Sequence, residues 1–237
     1  MGLKLAIDIG NSFIKGGLFN LKGEMLRMEV AHSVEEIISI FNSENIDFVY
    51  FSSVKKMSEL NISIPFGVLN EKSKLPFINL YKTPETLGRD RIAAVAAASV
   101  KFPKMPVLIF DIGTCMTIDF INESNEYMGG NISPGVNMRL KAMNLLTDKL
   151  PLSSKEYLTN FLGDSTMSAL ANGAVEGLCK EIDGYIVNFK LNYPKLKVVF
   201  CGGDAIFFEK RVKNKIFADP NFVLQGLYQL LLLNEKN

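Results

Sequence analysis

Two stretches of this sequence decide the fold: IDIGNSFIKGG, residues 7–17, and FDIGTCMTIDF, residues 110–120. In each, an apolar run ends in Asp-Ile-Gly, a small polar residue follows, and a second apolar run begins. A glycine at this place lets the backbone approach a ligand, and the amide groups after it point outward beside the Asp. Such a turn can hold a phosphate chain or a hydrated cation. For one copy, a plain strand-to-turn junction explains the motif equally well, but two copies in matching positions favour ligand-facing turns.

The segments around the two stretches repeat as well. Residues 3–31 and 106–133 each predict three short strands joined by tight turns, which fall at Asn20–Gly23 and Asn122–Asn125. Both meanders lead into alternating strands and helices, which is typical of an α/β unit. We therefore predict a duplicated α/β protein whose halves, 1–104 and 105–237, pack around a shared cleft.

The remaining elements follow from periodicity, capping residues and breakers. Helices are predicted over 33–45, 88–101, 135–149 and 164–191, and buried strands over 46–54 and 197–203. The fourth helix carries candidate breaks at Gly173, Gly177 and Gly184. Short helices close the chain, and the apolar face in FVLQGLYQLLLL is expected to be core rather than an interface.

Composition excludes several classes of protein. The chain has 237 residues, 48% of them hydrophobic and 22% charged, and a formal net charge of +1, so no basic face for nucleic acid is expected. No apolar run approaches the length needed to span a bilayer. The start MGLKLAIDIG carries Asp8 and no small-residue cleavage site, so a signal peptide is not expected. These features predict a cytoplasmic protein without a membrane partner.

The few cysteines and the single histidine limit the kinds of catalysis and metal binding that are expected. Cys115, Cys179 and Cys201 are far apart and form no CxxC pair, which indicates a reducing compartment and disfavours a zinc site. His32 is the single histidine and is expected at the surface, which excludes a Ser-His-Asp hydrolase. Acid–base chemistry is therefore left to carboxylates, lysines or water.

Other phosphate-binding motifs are absent or weaker. The sequence contains no GxxxxGK[ST] and no GxGxxG after a strand, which excludes the P-loop and leaves a dinucleotide-binding Rossmann fold unsupported. GGNISPG, residues 129–135, leads into a helix whose N-terminus can bind an anion, and CGGD, residues 201–204, can let an adenine lie against the backbone. A simple turn remains the alternative for both.

A second constellation, LGRDR at residues 87–91, precedes the alanine-rich helix. Asp90 lies between Arg89 and Arg91, whose guanidinium groups are expected to keep it ionised and able to accept a hydroxyl proton. The arginines themselves can bind a carboxylate or phosphate through paired hydrogen bonds. The alternative is a charged helix start that makes only surface salt bridges.

Together these motifs resemble those of one family. DIGN and DIGT resemble the phosphate motifs of the acetate kinase, sugar kinase, heat-shock ATPase and actin superfamily. The order DIGNS, Y-x6-GxDR, DIGT, GGxIxPG and GDST resembles the type III pantothenate kinases over nearly the whole chain. The resemblance implies duplicated ribonuclease H-like (actin-like ATPase) units, each a mixed β-sheet flanked by helices, with an interdomain cleft. It also implies ATP-dependent phosphorylation of pantothenate, the first step towards coenzyme A.

The resemblance further implies roles for individual residues. Asp90 is expected as the proton acceptor and Asp111 as the ligand of a monovalent cation, either potassium or ammonium, while Mg²⁺ accompanies ATP. The expected ATP contacts are Asp8, Ile9, Gly10, Asn11, Ser12, Phe13, Ile14, Lys15 and Thr114. The expected pantothenate contacts are Tyr81, Gly88, Arg89, Asp90, Arg91 and Thr166. Family members are homodimers, so a second copy of the chain is the expected partner.

The departures from the family pattern are Arg89, Cys115 and Met116, where smaller or hydroxyl residues are commoner. They remove no proposed catalytic group. Two alternatives stay open: a kinase of another small hydroxylated metabolite, and a non-catalytic regulatory relative. Loss of Asp8, Asp90 or Asp111 would be expected in a non-catalytic relative, and all three are present.

Overall fold

The structure, a computed structural model, describes residues 2–10, 12–53 and 62–235 of the chain. Its strands are β1 Leu3–Ile9, β2 Ile14–Phe19, β3 Met25–Ala31, β4 Ile46–Phe51, β5 Phe66–Val68, β6 Ile78–Asn79, β7 Val107–Ile112, β8 Cys115–Ile121, β9 Glu126–Pro134, β10 Lys197–Cys201 and β11 Phe217–Ala218. Its helices are α1 Val34–Ile40, α2 Arg89–Lys101, α3 Val136–Leu145, α4 Thr166–Asn192, α5 Ala205–Glu209 and α6 Phe222–Asn234. Short 3₁₀ turns occur at Pro84–Thr86 and Lys155–Tyr157.

The strands form two mixed sheets. The first has the order β3-β2-β1-β4-β5, in which the β1–β2 and β2–β3 pairs are antiparallel and the β1–β4 and β4–β5 pairs are parallel. The second has the order β11-β10-β7-β8-β9-β6, in which β10 runs parallel to β7 and to β11. The order β9-β8-β7-β10-β11 repeats the order of the first sheet strand for strand, and β6 adds to its edge parallel to β9. The strand order therefore carries the predicted duplication.

The duplication extends to hydrogen bonds in the second hairpin connection of each half, the β2–β3 turn and the β8–β9 turn. The side-chain oxygen of Asn20 accepts the amides of Lys22 and Glu24 at 2.9 and 3.0 Å. The side-chain oxygen of Asn122 likewise accepts the amides of Ser124 and Glu126 at 3.0 and 2.9 Å. In both turns the Asn amide group also donates to the Glu carboxylate, at 2.6 and 2.7 Å. The predicted turns are confirmed, and each is closed by an asparagine side chain that replaces missing backbone partners.

Contacts divide the described residues into two compact units. The first takes in described residues of Met1–Met105, Asp119–Gly129 and Asn221–Asn237, and the second those of Pro106–Ile118 and Gly130–Pro220. Strands β8 and β9 each contribute residues to both units. The first break in this division follows Met105, one residue after the predicted boundary at 104, and the division assigns two later segments to the first unit.

The first unit is built around β1 and two helices. Buried apolar side chains of β1, β2, α1 and β4 form one core cluster, which includes Leu5, Ile7, Ile14, Phe41 and Val49. On α2 every residue from Arg91 to Ala98 is buried. Small side chains let α6 approach α2 closely: a Cβ atom on Gly226 would lie 1.8 Å from the carbonyl oxygen of Ala93. The apolar face of α6 is therefore core, as expected.

Several predicted boundaries need correction. Helix α1 ends at Ile40 rather than at 45, and α3 ends at Leu145 rather than at 149, because the polar residues that follow form turns. Helix α4 continues unbroken from Thr166 to Asn192, since its three glycines cost helix propensity but break no hydrogen bond. Strand β4 ends at Phe51, and residue 54, the predicted end, lies outside the described residues.

Candidate functional site

The first Asp-x-Gly turn follows β1. The amide of Gly10 donates to the carbonyl oxygen of Phe13 at 3.1 Å, which closes the turn, and Ser12 and Phe13 are exposed. Asn11 lies outside the described residues. Ile14 is buried in the core cluster, so its side chain anchors the turn rather than facing a ligand. Exposed residues thus follow the end of a buried strand at this turn.

Ser52, just after β4, forms hydrogen bonds with the residues that precede this turn. The Ser52 hydroxyl is 2% exposed and accepts the amide of Ile9 at 2.9 Å. It also hydrogen bonds to the carboxylate of Asp8, which lowers the pKa of that group. Sequence reasoning missed Ser52, because it placed this serine only at the end of an apolar strand. Parallel pairing of β1 with β4 brings it beside Asp8.

Three charged side chains of the expected site converge in the first unit. The pKa of Asp8 is raised, chiefly by burial; the hydrogen bond from Ser52 lowers it, the charge of Asp90 raises it and the charge of Lys15 lowers it. Lys15 lies directly opposite Asp8 in the β1–β2 register, where cross-strand side chains share one face. The structure therefore brings Lys15 and Asp90 within electrostatic reach of Asp8.

Asp90 lies in the first turn of α2, where it is exposed. Gly88 is the N-cap of the helix, and the Asp90 carboxylate accepts the amide of Arg91 at 2.8 Å. The Arg89 side chain extends to Glu71, with Nη2 2.7 Å from Oε1. Arg89 thus pairs with a carboxylate other than Asp90, contrary to the sequence argument.

Arg91 is also engaged elsewhere, in a buried network. Its Nε donates to Asp119 Oδ1 at 2.9 Å, and its Nη2 lies 2.8 Å from the same oxygen. The hydroxyl of Tyr127 donates to this oxygen at 2.7 Å. The ring of Tyr81 lies over the guanidinium, 5.5 Å from its carbon to the ring centroid. Both flanking arginines therefore pair with carboxylates other than Asp90, Arg89 with Glu71 and Arg91 with Asp119.

The pKa values of Arg91 and Tyr127 reflect their burial and their contact with Asp119. Burial by itself lowers the pKa of Arg91, but the hydrogen bond and charge of Asp119 outweigh it and raise that pKa. The pKa of Tyr127 is raised by burial and by the Asp119 charge. Arg91 therefore remains a cation, and Tyr127 remains a hydrogen-bond donor.

The second Asp-x-Gly turn, in the other unit, is also closed by the amide of its glycine, but the hydrogen bond spans two residues instead of three. The amide of Gly113 donates to the carbonyl oxygen of Cys115 at 2.9 Å. The exposed Thr114 accepts the amide of Gly135 through its carbonyl oxygen at 3.1 Å, which ties the turn to the start of α3. Asp111 is half-buried and pairs in register with Cys201 of the parallel strand β10.

CGGD, residues 201–204, packs against this second turn. Gly202 has a φ of +85°, and a Cβ atom there would lie 2.3 Å from Asp111 Oδ1. The amide of Asp204 donates to the carbonyl oxygen of Ile112 at 2.9 Å, and its carboxylate pairs with Lys155. The sequence alone predicted CGGD as a separate site where an adenine can lie, whereas in the structure it packs against the second Asp-x-Gly turn.

The two remaining motifs, GDST and GGNISPG, both lie just before helices, at the starts of α4 and α3. Thr166 is exposed at the start of α4, where Ser165 and Ser168 form a capping box. Residues 126–134 form strand β9, so only Gly135 separates GGNISP from the helix. Pro134 therefore ends a strand instead of starting α3.

Comparison with known proteins identifies the family. A model of the type III pantothenate kinase family matches residues 4–188. The chain belongs to this family. A type III pantothenate kinase of Phocaeicola vulgatus is 40% identical over 242 residues, covering 99% of this chain and 100% of its own. The sequence-based assignment to the type III pantothenate kinases is confirmed.

Solved structures confirm the fold class. A Campylobacter jejuni protein described as a conserved Baf family transcriptional activator aligns with a TM-score of 0.65 at 21% identity, covering 98% of this chain and 100% of its own. The activator of 2-hydroxyisocaproyl-CoA dehydratase from Clostridium difficile, solved with ADPNP bound, aligns with a TM-score of 0.54 at 12% identity, covering 99% and 96%. This pantothenate kinase family member thus has the predicted duplicated actin-like α/β fold.

Metal-binding clusters and membrane-spanning helices are both absent from the part of the chain that the structure describes. Within residues 2–10, 12–53 and 62–235, no cluster of three or more His, Cys, Asp or Glu side chains is placed to hold a metal ion. Over the same ranges, no helix has both the length and the apolar character needed to cross a membrane.

Proposed function

We propose that this protein transfers the terminal phosphate of ATP to the terminal hydroxyl of pantothenate, the first step towards coenzyme A. One observation carries the proposal beyond family membership. Asp8, from the first phosphate-type turn, and Asp90, from the predicted substrate motif, lie close enough for the charge of one to raise the pKa of the other. A phosphate-facing acid and a hydroxyl-facing acid are the two groups that this transfer needs close together.

Asp90 is the proposed proton acceptor. It is exposed at the start of α2, where a substrate hydroxyl can reach it, and the Asp90 side chain is held by the amide of Arg91. Phosphoryl transfer passes through a loose transition state, so the enzyme mainly positions the reactants and balances charge. A positioned base contributes roughly 10²–10⁴-fold to such a step.

The residues of the first turn suit ATP with Mg²⁺. Asp8 is a carboxylate that burial and Asp90 both disfavour in its charged form, and a cation beside it would relieve that cost. Mg²⁺ prefers one or two carboxylates together with waters and phosphate oxygens, and Asp8 can supply one such carboxylate. When bound, the ion would neutralise phosphate charge, while Lys15 and the exposed Ser12 would hold the phosphate chain.

The residues of the second turn suit a monovalent cation. Asp111 offers carboxylate oxygens beside the Gly202 backbone, and Thr114 offers a hydroxyl and a carbonyl group. We assign Asp111 to a potassium or ammonium ion and Thr114 to ATP. The exposed Thr166, at the start of α4, is assigned to pantothenate together with Tyr81, Gly88, Arg89 and Arg91.

We also propose a cytoplasmic homodimer. Large apolar side chains are exposed in the second unit, among them Leu145 at 79%, Leu146 at 83%, Phe161 at 76% and Leu162 at 75%. Exposed apolar groups of this kind favour association between chains. Light scattering after size-exclusion chromatography is expected to give twice the chain mass, and a monomer at all concentrations would contradict the dimer.

The deciding experiment measures ATP-dependent phosphorylation of pantothenate by purified protein with Mg²⁺, in K⁺ and in Na⁺. Turnover stimulated by K⁺ and lost in Asp90→Asn supports the kinase, the cation site and the base together. Absence of turnover by folded protein in both salts would reject pantothenate. Panels of other hydroxylated metabolites would then test for a different kinase, and binding without turnover would indicate a regulatory relative.

A further inference from the structure

The network beneath Tyr81 gives the pantothenate site a support that the motifs do not contain. We propose that Asp119 and Tyr127 are positioning residues, which fix Arg91 and Tyr81 in the orientation that binds pantothenate. The inference rests on the proposed function, because Asp119 and Tyr127 are taken to hold residues that contact pantothenate in the same substrate site. Neither residue belongs to the GRDR motif or to either Asp-x-Gly turn.

Asp119 controls the direction of the Arg91 side chain. Both Nε and Nη2 of the guanidinium lie within 2.9 Å of a single oxygen, Asp119 Oδ1. A guanidinium is planar, so contact along this edge fixes the plane and turns the opposite edge away from Asp119. Arg91 is 5% exposed and Asp119 1%, so water does not compete for the pair.

Tyr127 links this ion pair to Tyr81. The Tyr127 side chain is fully buried, and its hydroxyl donates to the same Asp119 oxygen at 2.7 Å. Its ring stacks on that of Tyr81, with 6.0 Å between centroids and 23° between planes. Tyr81 therefore has Tyr127 on one side and the Arg91 guanidinium within cation–π distance.

The backbone around Tyr81 is tied to the same strand. The amide of Leu80 donates to the carbonyl oxygen of Tyr127 at 3.1 Å, and Asn79 pairs with Tyr127 in the parallel β6–β9 register. The amide of Tyr81 donates to the side chain of Asn79 at 3.0 Å. Strand β9 thus contacts the Tyr81 segment directly and α2 through the hydrogen bonds of Tyr127 and Arg91 to Asp119.

The chemistry favours a positioning role over simple stabilisation. A buried ion pair often contributes no more stability than apolar residues of the same volume, because both charges lose their hydration. Here Arg91 directly follows the proposed base, Asp90, in the chain, and the backbone amide of Arg91 donates to the Asp90 carboxylate. A buried carboxylate at this position therefore aims a substrate-binding cation, which an apolar residue cannot do.

The test uses steady-state kinetics of the full chain, with wild type, Asp119→Asn and Tyr127→Phe compared in parallel. Tyr127→Phe keeps the ring stack and removes one hydrogen bond, so we expect the KM for pantothenate to rise about fivefold. Asp119→Asn removes the charge, and we expect a rise of about tenfold or more. In both variants the KM for ATP and kcat are expected to stay within about twofold of wild type.

Glu235→Gln is the matched control. Glu235 pairs with Lys4 at 2.6 Å in the same unit, and Lys4 is 6% exposed, so this variant also deprives a buried cation of its carboxylate. It is expected to lower the melting temperature and leave the KM for pantothenate unchanged. The contrast separates loss of stability from loss of substrate positioning.

The outcomes are distinct. If Asp119→Asn does not fold, Tyr127→Phe decides. A Tyr127→Phe variant whose KM for pantothenate equals that of wild type, or whose KM rises equally for ATP and pantothenate, overturns the positioning role. Wild-type protein that does not phosphorylate pantothenate overturns the proposed function, and the inference with it.

Discussion

The backbone of Gly202 lies directly against the carboxylate of Asp111. A Cβ atom on Gly202 would come within 2.3 Å of Asp111 Oδ1 and 2.6 Å of the carbonyl oxygen of Ile112, and the residue has a φ of +85°. Both the contact and the backbone conformation exclude a side chain at this position. Strand β10 and strand β7 are parallel neighbours, so the chain that leaves one strand shapes the site at the end of the other.

Gly202→Ala is therefore expected to disturb the second Asp-x-Gly turn. The left-handed backbone and the clash with Asp111 together predict a loss of about 2–4 kcal/mol in the free energy of unfolding. Because the clash displaces the proposed cation ligand, stimulation of turnover by K⁺ is expected to fall as well. Urea denaturation and turnover against K⁺ concentration measure the two effects.

Gly203→Ala is the control for this prediction. No atom lies within 4 Å of a Cβ at that position, and Gly203 is exposed. We expect its unfolding curve and K⁺ dependence to match those of wild type. Equal effects of the two substitutions would show that the contact with Asp111 is not what constrains this loop.

Asp8 is predicted to lower the stability of the free protein. Folding raises the pKa of its carboxyl group above the ordinary value of 3.8, chiefly through burial. The folded chain therefore holds this proton more tightly, and ionisation opposes folding. The loss of folding stability caused by ionised Asp8 is greatest above the raised pKa. It decreases as the pH falls through that pKa and is absent below 3.8.

Asp8→Asn is thus expected to raise the urea midpoint near neutral pH while abolishing kinase turnover. The stability gain is expected to disappear in acid, where the wild-type carboxyl group is protonated. Asp47→Asn, which changes an exposed carboxylate of the same unit, is the control. A gain that persists unchanged in acid would assign the effect to something other than ionisation of Asp8.

Two arginine–carboxylate pairs flank the proposed base, and their burial predicts opposite consequences for stability. Arg91 and Asp119 are 5% and 1% exposed, whereas the Glu71 partner of Arg89 is 61% exposed. Removing one member of a buried pair leaves an uncompensated charge and costs about 3–5 kcal/mol. An exposed pair is screened by water and contributes little.

Asp119→Asn is accordingly expected to lower the free energy of unfolding by about 3–5 kcal/mol. Glu71→Gln is expected to give a denaturation curve that overlays wild type. Urea denaturation at low and high salt measures both variants, and salt is expected to leave the Asp119 effect unchanged because the pair is shielded from solvent. Similar losses in the two variants would contradict the distinction drawn from burial.

How far the sequence predicted the structure depends on the range of the interactions involved. The Asn20 and Asn122 turns are local, since each asparagine bonds to amides two and four residues ahead, and both were predicted. The duplicated strand order followed from the repeated Asp-Ile-Gly pattern for the same reason. Local turn chemistry and hydrophobic alternation are written in consecutive residues.

Long-range partners were not predictable in this way. The partner of Arg91 is Asp119, 28 positions away, and the support of Asp8 is Ser52, on a strand that pairs only after folding. A pattern such as GRDR suggests that neighbouring charges interact, but on a helix successive side chains point in different directions. The arginines of this motif therefore found carboxylates on other elements.

The cysteines offer a test of the site that needs no substrate turnover. Cys179 and Cys201 are 3% and 0% exposed, whereas Cys115 is half-buried beside Thr114. Burial, followed by the charge of Glu176, raises the pKa of the Cys179 thiol to about 11, which keeps it in the unreactive protonated form. A thiol reagent such as DTNB is therefore expected to modify one of the three cysteines rapidly in the folded protein and all three after denaturation.

Cys115→Ser is expected to remove the rapid phase of this labelling. Because Thr114 is the proposed ATP contact, ATP with Mg²⁺ is expected to slow the modification of Cys115, and AMP at the same concentration serves as the control. Rapid labelling of two cysteines would contradict the burial of Cys179 and Cys201. Labelling of Cys115 at the same rate with and without ATP would place the nucleotide away from the second Asp-x-Gly turn, because a phosphate chain bound there covers the start of β8.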